Sequence, residues 1–114
     1  MKKVVRIDNK DYTMKASAFT QFAYKDLTGR SFLNDIQELT KYVDGELGLE
    51  QLDIISELLL KIAYVMIKEA DPNQVDNYED FLKGIDNLYD DIDWIEEVIF
   101  LGCTPISRQL QKSE

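Results

Sequence analysis

The chain contains no histidine, which removes the commonest general base and the commonest neutral metal ligand together. It has one cysteine, Cys103. No internal disulfide can form, a usage that suits a reducing compartment. With no base or cation beside it in the sequence, that thiol reads as buried or incidental, not nucleophilic. The five glycines are scattered at positions 29, 45, 48, 84 and 102 and build no phosphate-cradling motif. Basic residues are scarce as well: 13 stand against 22 acidic ones, for a net charge of -9. That balance argues against a nucleic-acid or anionic-membrane surface, both of which rely on clustered Lys and Arg. No uninterrupted run reaches the roughly 20 apolar residues that a bilayer requires. The opening residues MKKVVRIDNKDY place charges where an export signal would need an apolar stretch. The expected location is the cytoplasm.

Carboxylates are abundant, so calcium binding is worth testing against the sequence. The loop starting at Asp71 reads D-P-N-Q-V-D. It puts Val75 at the fifth position, Asp76 where the turn glycine of an EF-hand belongs and Leu82 where its closing glutamate should stand. The run Asp91-Ile92-Asp93 with Glu96 and Glu97 fails the same pattern. These acids are read as helix caps and solvated faces, and no metal, cofactor or catalytic set is expected.

What is present is a core. Of the 114 residues 45% are hydrophobic, enough for one domain, expected over residues 1–102. Its centre is the stretch LDIISELLLKIAYVMIK, Leu52 to Lys68. Leu52, Ile55, Leu59, Ile62 and Met66 recur at helical spacing, with Ile54, Leu58 and Val65 as a second stripe. The polar residues Asp53, Glu57, Lys61 and Lys68 keep to a narrow strip, so other elements must cover most of this helix. The pattern predicts a central buried helix over about 50–69, stopped by Asp71-Pro72.

The remaining elements surround it. Residues 3–16 read as a β-hairpin with a two-residue loop at Asn9-Lys10, setting Ile7 opposite Tyr12 and Val5 opposite Met14 on one apolar face. Ser17 is a candidate N-cap for a helix over about 18–27, whose Phe19, Phe22, Ala23 and Leu27 form an inward face. Gly29 ends it, and Ser31 caps a second helix over 32–43 through Phe32, Ile36, Leu39 and Val43. Asp44 to Gly48 is an exposed loop. Two more helices are predicted over about 77–88 and 91–101, with Asn77 as an N-cap, Gly84 a weak point and Gly102 a terminator. Residues 103–114 read as a mobile polar tail. The fold class is mainly α, in an α+β arrangement: a hairpin packed on about five helices.

From Asp71 to Glu97 there are ten acidic residues and one lysine, Lys83. Within and just beyond that acidic stretch lie Tyr78, Phe81, Tyr89, Trp94 and Phe100. Some of these rings pack on the central helix; those left exposed are candidate anchors for a partner, since Tyr and Trp are the usual anchors of protein interfaces. An acidic rim would favour a partner segment with basic residues and an apolar helical face.

The run V-V-R-I-D-N-K-D-Y-T-M-K-A-S-A-F, followed by Y-K-D-L-T-G-R-S-F-L-N-D-I, resembles the tail assembly chaperones of long-tailed bacteriophages and prophages of Gram-positive hosts. In those proteins a short hairpin precedes a helix, an aromatic-basic pair, a Gly-Arg turn and a second amphipathic helix; Tyr24-Lys25, Gly29-Arg30 and Asp35 stand at the matching places. The later A-D-P, Y-E-D-F-L and D-W-I-E-E-V-I segments are also similar, so that the likeness spans about residues 4–101. Asn9 departs from the turn glycine of the family, and Leu27 from the aromatic that often precedes the glycine. The resemblance implies a non-catalytic protein that keeps the long, helical tape measure protein soluble until tail tube subunits polymerise around it, and that is absent from the finished particle. It also implies a longer form made by frameshifting near the end of the reading frame. Homo-oligomerisation is a further expectation, from the breadth of the apolar face of the central helix. A head-tail connector component and a small acidic inhibitor are the alternative classes.

Overall fold

The computed structural model describes residues 1–43 and 49–106. The protein is mostly helical, with one antiparallel hairpin and five helices among the described residues. Strands β1 (Lys2–Ile7) and β2 (Lys10–Lys15) lead into α1 (Ala18–Thr28) and α2 (Phe32–Val43). Next come the central helix α3 (Leu49–Ala70), a short α4 (Tyr78–Lys83), α5 (Asp93–Cys103) and a single 3-10 turn at Thr104–Ile106. The loop expected at 44–48 and the end of the expected tail, 107–114, lie outside the described residues.

The hairpin turns one residue earlier than its sequence suggests. Asp8 and Asn9, not Asn9 and Lys10, are the turn pair, with φ of 52° and 62°. Two successive left-handed residues make the turn whose twist matches paired strands, and Asp and Asn tolerate that conformation best among residues with a side chain. Val5 therefore pairs with Tyr12 and Ile7 with Lys10, where pairing of Val5 with Met14 and Ile7 with Tyr12 was expected. Moving the turn by one residue shifts each partner by two, so the alternating face is unchanged. Val5, Ile7, Tyr12 and Met14 are all buried. They rest on α3 and α5, which gives a two-stranded sheet the cover it needs.

Helix α3 buries Ile55, Leu59, Ile62, Met66 and Val65, and also Leu60, Ala63 and Ile67. Ile54, assigned to its second stripe, instead points to solvent. The helix stops at Asp71-Pro72, and Lys68 folds the following loop back by donating to the carbonyls of Pro72, Val75 and Asp76 at 3.0, 2.6 and 2.9 Å. Gln74 then reaches the hairpin, accepting from the Thr13 N–H at 2.9 Å and donating to the Thr13 carbonyl at 2.8 Å.

The helix expected over 77–88 is only six residues long. Asn77 caps it, accepting from the Asp80 N–H at 2.8 Å. It ends at Gly84, whose carbonyl accepts from Lys10 Nζ. Beyond it the Asn87 side chain accepts from the N–H groups of both Tyr89 and Asp90 at 3.1 Å, offering the backbone an alternative to helical bonds. Helix α5 begins at Asp93, two residues after the expected start, because the Asp91 side chain accepts from the Asp93 N–H at 3.0 Å. Gly102 does not terminate it. It is buried inside the last turn, where an added Cβ would come 2.9 Å from Ile36 Cδ1, so this glycine sets the closeness of α5 and α2. Cys103 is the last helical residue, and Thr104–Ile106 pack as a 3-10 turn where the start of a tail was expected.

Candidate partner-binding surface

Helix α1 presents to the core a different face from the one its apolar spacing suggests. Ser17 caps the helix, and Gly29 closes it in the left-handed conformation at φ 73°. Between these ends the buried residues are Thr20 and Tyr24, with Ala23 packed beside them. Phe19 and Phe22, expected inward, are 61% and 62% exposed, and Leu27 is exposed as well.

Hydrogen bonding explains the reversal. The Tyr24 hydroxyl donates to Asp35 Oδ2 at 2.6 Å, and Arg30 donates to both oxygens of Asp35, Nε at 2.8 Å and Nη2 at 2.9 Å. Asp35 is itself buried, and a buried carboxylate is strongly unfavourable unless it is paired and bonded. The Arg30 bonds hold its carboxyl below the usual carboxylate range against the opposing effect of burial, with Tyr24 adding to the lowering. Burial and the bond to Asp35 push the Tyr24 phenol up. At the other end of α1, Glu69 of α3 accepts from Ser17 Oγ and Thr20 Oγ1, both at 2.8 Å. Two acceptors, Asp35 and Glu69, thus fix which side of α1 faces inward, and Phe19 and Phe22 follow to the outside.

An open groove lies between α1, α2 and the 3-10 turn, lined by Ala18, Gln21, Leu33, Ile36, Gln37, Thr40, Pro105 and Ile106. None of these eight side chains is charged, in a chain where 31% of residues are. Ala18 and Phe22 are four residues apart and so neighbours on one helix face, which continues the neutral groove onto the exposed phenyl ring. Exposed apolar surface grouped in this way marks an interaction site more reliably than isolated residues do.

The five aromatic candidates divide. Trp94 and Phe81 are core residues, 1% and 2% exposed, and so are not available as partner anchors. The Trp94 indole N–H donates to the Leu88 carbonyl at 3.0 Å, which removes the reason for keeping a tryptophan edge in water. Phe81 meets Tyr12 edge-on at a centroid distance of 5.5 Å. Tyr78 is half-buried against Tyr64. Tyr89 is partly exposed, with its hydroxyl 3.2 Å from Ser56 Oγ. Phe100 stands out at 73% exposed. Glu96 and Glu97 lie one turn before it, and Glu97 pairs with Lys3 at 3.6 Å, so Phe100, like Tyr89 before Asp90 and Asp91, keeps the acid-bordered setting expected of an anchor. Phe19 and Phe22, assigned to the core by periodicity, are the residues that sequence reasoning missed. The only local signal was the polar pair Thr20 and Tyr24 on one side of the helix, whose acceptors, Glu69 and Asp35, lie on α3 and α2.

No family model, curated protein or solved structure matches the chain. Among the described residues no helix is long and apolar enough to cross a membrane, and no three His, Cys, Asp or Glu side chains are grouped so as to hold a metal ion. The Cys103 thiol is half-buried, and burial pushes its pKa up, disfavouring the thiolate.

Proposed function

We propose that the protein is a cytoplasmic tail assembly chaperone of a long-tailed phage or prophage, holding apolar helical segments of the tape measure protein without catalysis. The observation that carries this reading is the outward pair Phe19 and Phe22 on the helix whose Ala18 and Gln21 line an uncharged groove. A client helix with apolar residues at every third or fourth position could lay them along such a surface, with side-chain burial as the main driving force. The resemblance described above supports the same reading. Three of the residues that carry it, Tyr24, Arg30 and Asp35, form the network that turns the phenyl pair outward. The acidic remainder of the surface keeps chaperone and complex soluble, and an affinity short of obligate-complex strength lets polymerising tube subunits take the client over.

Co-expression with a tape measure protein from a long-tailed phage of a Gram-positive host tests the proposal. The expected result is a larger soluble fraction of the client and recovery of a complex. Unchanged client solubility with no complex contradicts it. Mass spectrometry of finished particles should find the protein missing; its presence in stoichiometric amount would favour a structural component instead.

A further inference from the structure

The hairpin has two edges, and they are treated differently. Met1 and Ala16 exchange both backbone bonds at 2.9 Å. In an antiparallel pair this fixes the parity: Lys3, Val5 and Ile7 bond to β2, while Lys2, Val4 and Arg6 turn their N–H and C=O groups away from it. Thr13 is an outward position of β2, and the Gln74 side-chain amide occupies it with one donor and one acceptor, as a third strand would. On β1 no described group bonds the outward backbone of Lys2, Val4 or Arg6. All three residues are exposed, Val4 at 56%.

We propose that the β1 edge is a strand-addition site for an extended segment of a partner protein with the pattern acidic-x-apolar-x-acidic. Strand addition draws affinity from main-chain bonds and specificity from alternate side chains. Here the alternate side chains on the outer face are Lys2, Val4 and Arg6, so the matching strand presents a carboxylate, an apolar residue and a carboxylate. Lys3 is paired with Glu97 and Lys10 bonds the Gly84 carbonyl, so the charge offered along this edge is that of Lys2 and of Arg6, the latter beside a cleft that also holds Asp8, Asp90 and Asp91. A second copy is the wrong occupant, because β1 paired antiparallel with itself about Val4 sets Lys2 against Arg6, and facing like charges are unfavourable. Lysines on an edge strand ordinarily guard against pairing at large; in this strand the guard also selects by charge. The site is on the opposite kind of surface from the neutral groove of α1 and stands or falls independently of it.

The test is a fluorescence anisotropy titration of the full chain with a labelled peptide having a Glu-Thr-Val-Thr-Glu core, compared with its Lys-Thr-Val-Thr-Lys counterpart. The glutamate peptide should bind and weaken as salt rises, and the lysine peptide should bind at least about tenfold less well. Val4→Pro removes an N–H that makes no bond to β2 and should weaken glutamate-peptide binding by about tenfold or more, with circular dichroism unchanged. Lys2→Glu, at the open end of the hairpin opposite Lys15, should weaken it too and serves where the proline variant misfolds. Absence of binding, equal binding of both peptides, or undiminished binding by folded variants overturns the proposal. So does a wild-type dimer in sedimentation that Val4→Pro dissociates, which would give the edge to a second copy.

Discussion

Helix α1 and the segment from Tyr78 to Cys103 each bury some rings and expose others, Tyr24 against Phe19 and Phe22 in the one and Phe81 and Trp94 against Phe100 in the other. Each departs from what its sequence suggests in a different direction. The C-terminal segment is acidic and looks like surface, yet it sends Phe81 and Trp94 into the core. Helix α1 has an amphipathic pattern that looks like a core stripe, yet it sends Phe19 and Phe22 outward. The difference lies in where each segment finds its hydrogen-bond partners. In the C-terminal segment the caps and Asx-type turns of Asn77, Asn87 and Asp91 satisfy the backbone locally, leaving the rings free to obey the hydrophobic effect. In α1 the buried Asp35 of α2 and the half-buried Glu69 of α3 claim the hydroxyl face. Turning the phenyl rings inward would break the bonds of Tyr24 to Asp35 and of Thr20 to Glu69 and leave buried polar groups unsatisfied, so the polar network decides the rotation of the helix.

Truncation sharpens the contrast most. Trp94→Ala should lower unfolding free energy by about 3–5 kcal/mol in urea denaturation, the usual range for emptying a buried tryptophan site, whereas Phe22→Ala should change it by no more than about 0.5 kcal/mol. Comparable losses for both would erase the distinction. Asp35→Ala comes next, at about 2–3 kcal/mol, because it leaves the buried Tyr24 hydroxyl without its acceptor and Arg30 without its partner.

The same carboxylate predicts a pH dependence. Asp35 sits below its ordinary value of 3.8 in the folded protein, through the Arg30 bonds first. The unfolded chain therefore takes up this proton before the folded one does. The stabilisation is complete above about pH 5 and is lost as pH falls through 3.8 towards the depressed folded value. Asp35→Asn should flatten that part of the stability-pH curve; an unchanged acid limb would remove Asp35 from the account. A smaller effect, about 1 kcal/mol, is expected for Thr20→Val, which keeps the shape of the residue and removes one of the two hydroxyls held by Glu69. The smallest belongs to Phe19→Ser combined with Phe22→Ser: stability should stay within about 1 kcal/mol of the parent, measured by thermal and urea unfolding.

Much of the architecture was legible from spacing alone. The apolar repeat of α3, the cap at Ser17, the left-handed Gly29 and the stop at Asp71-Pro72 each have a local physical signature, and the structure places all of them as expected. The inner face of the hairpin was legible too, although its turn was not. Lys10 looked like a turn residue only while its long-range bond to Gly84 was unknown. Ile54 and Gly102 were misread for a shared reason: periodicity counts how apolar or flexible a residue is, not how near a neighbouring helix comes. The candidate surface was legible only in part. Phe100 could be read as an exposed anchor, but the outward phenyl pair depends on Asp35 and Glu69, which lie 11 and 49 residues from their partners Tyr24 and Thr20. No window of local sequence contains both ends of those bonds.

The phenyl pair is where fold and proposed function meet, and one comparison tests it directly. Parent protein and the Phe19→Ser, Phe22→Ser double variant, each tagged and co-expressed with a tape measure protein from a long-tailed phage of a Gram-positive host, are purified and the client that follows them is quantified. The account predicts a soluble complex with the parent and loss of most of that client with an equally stable double variant. Equal client recovery by the two proteins, or none by either, would contradict it.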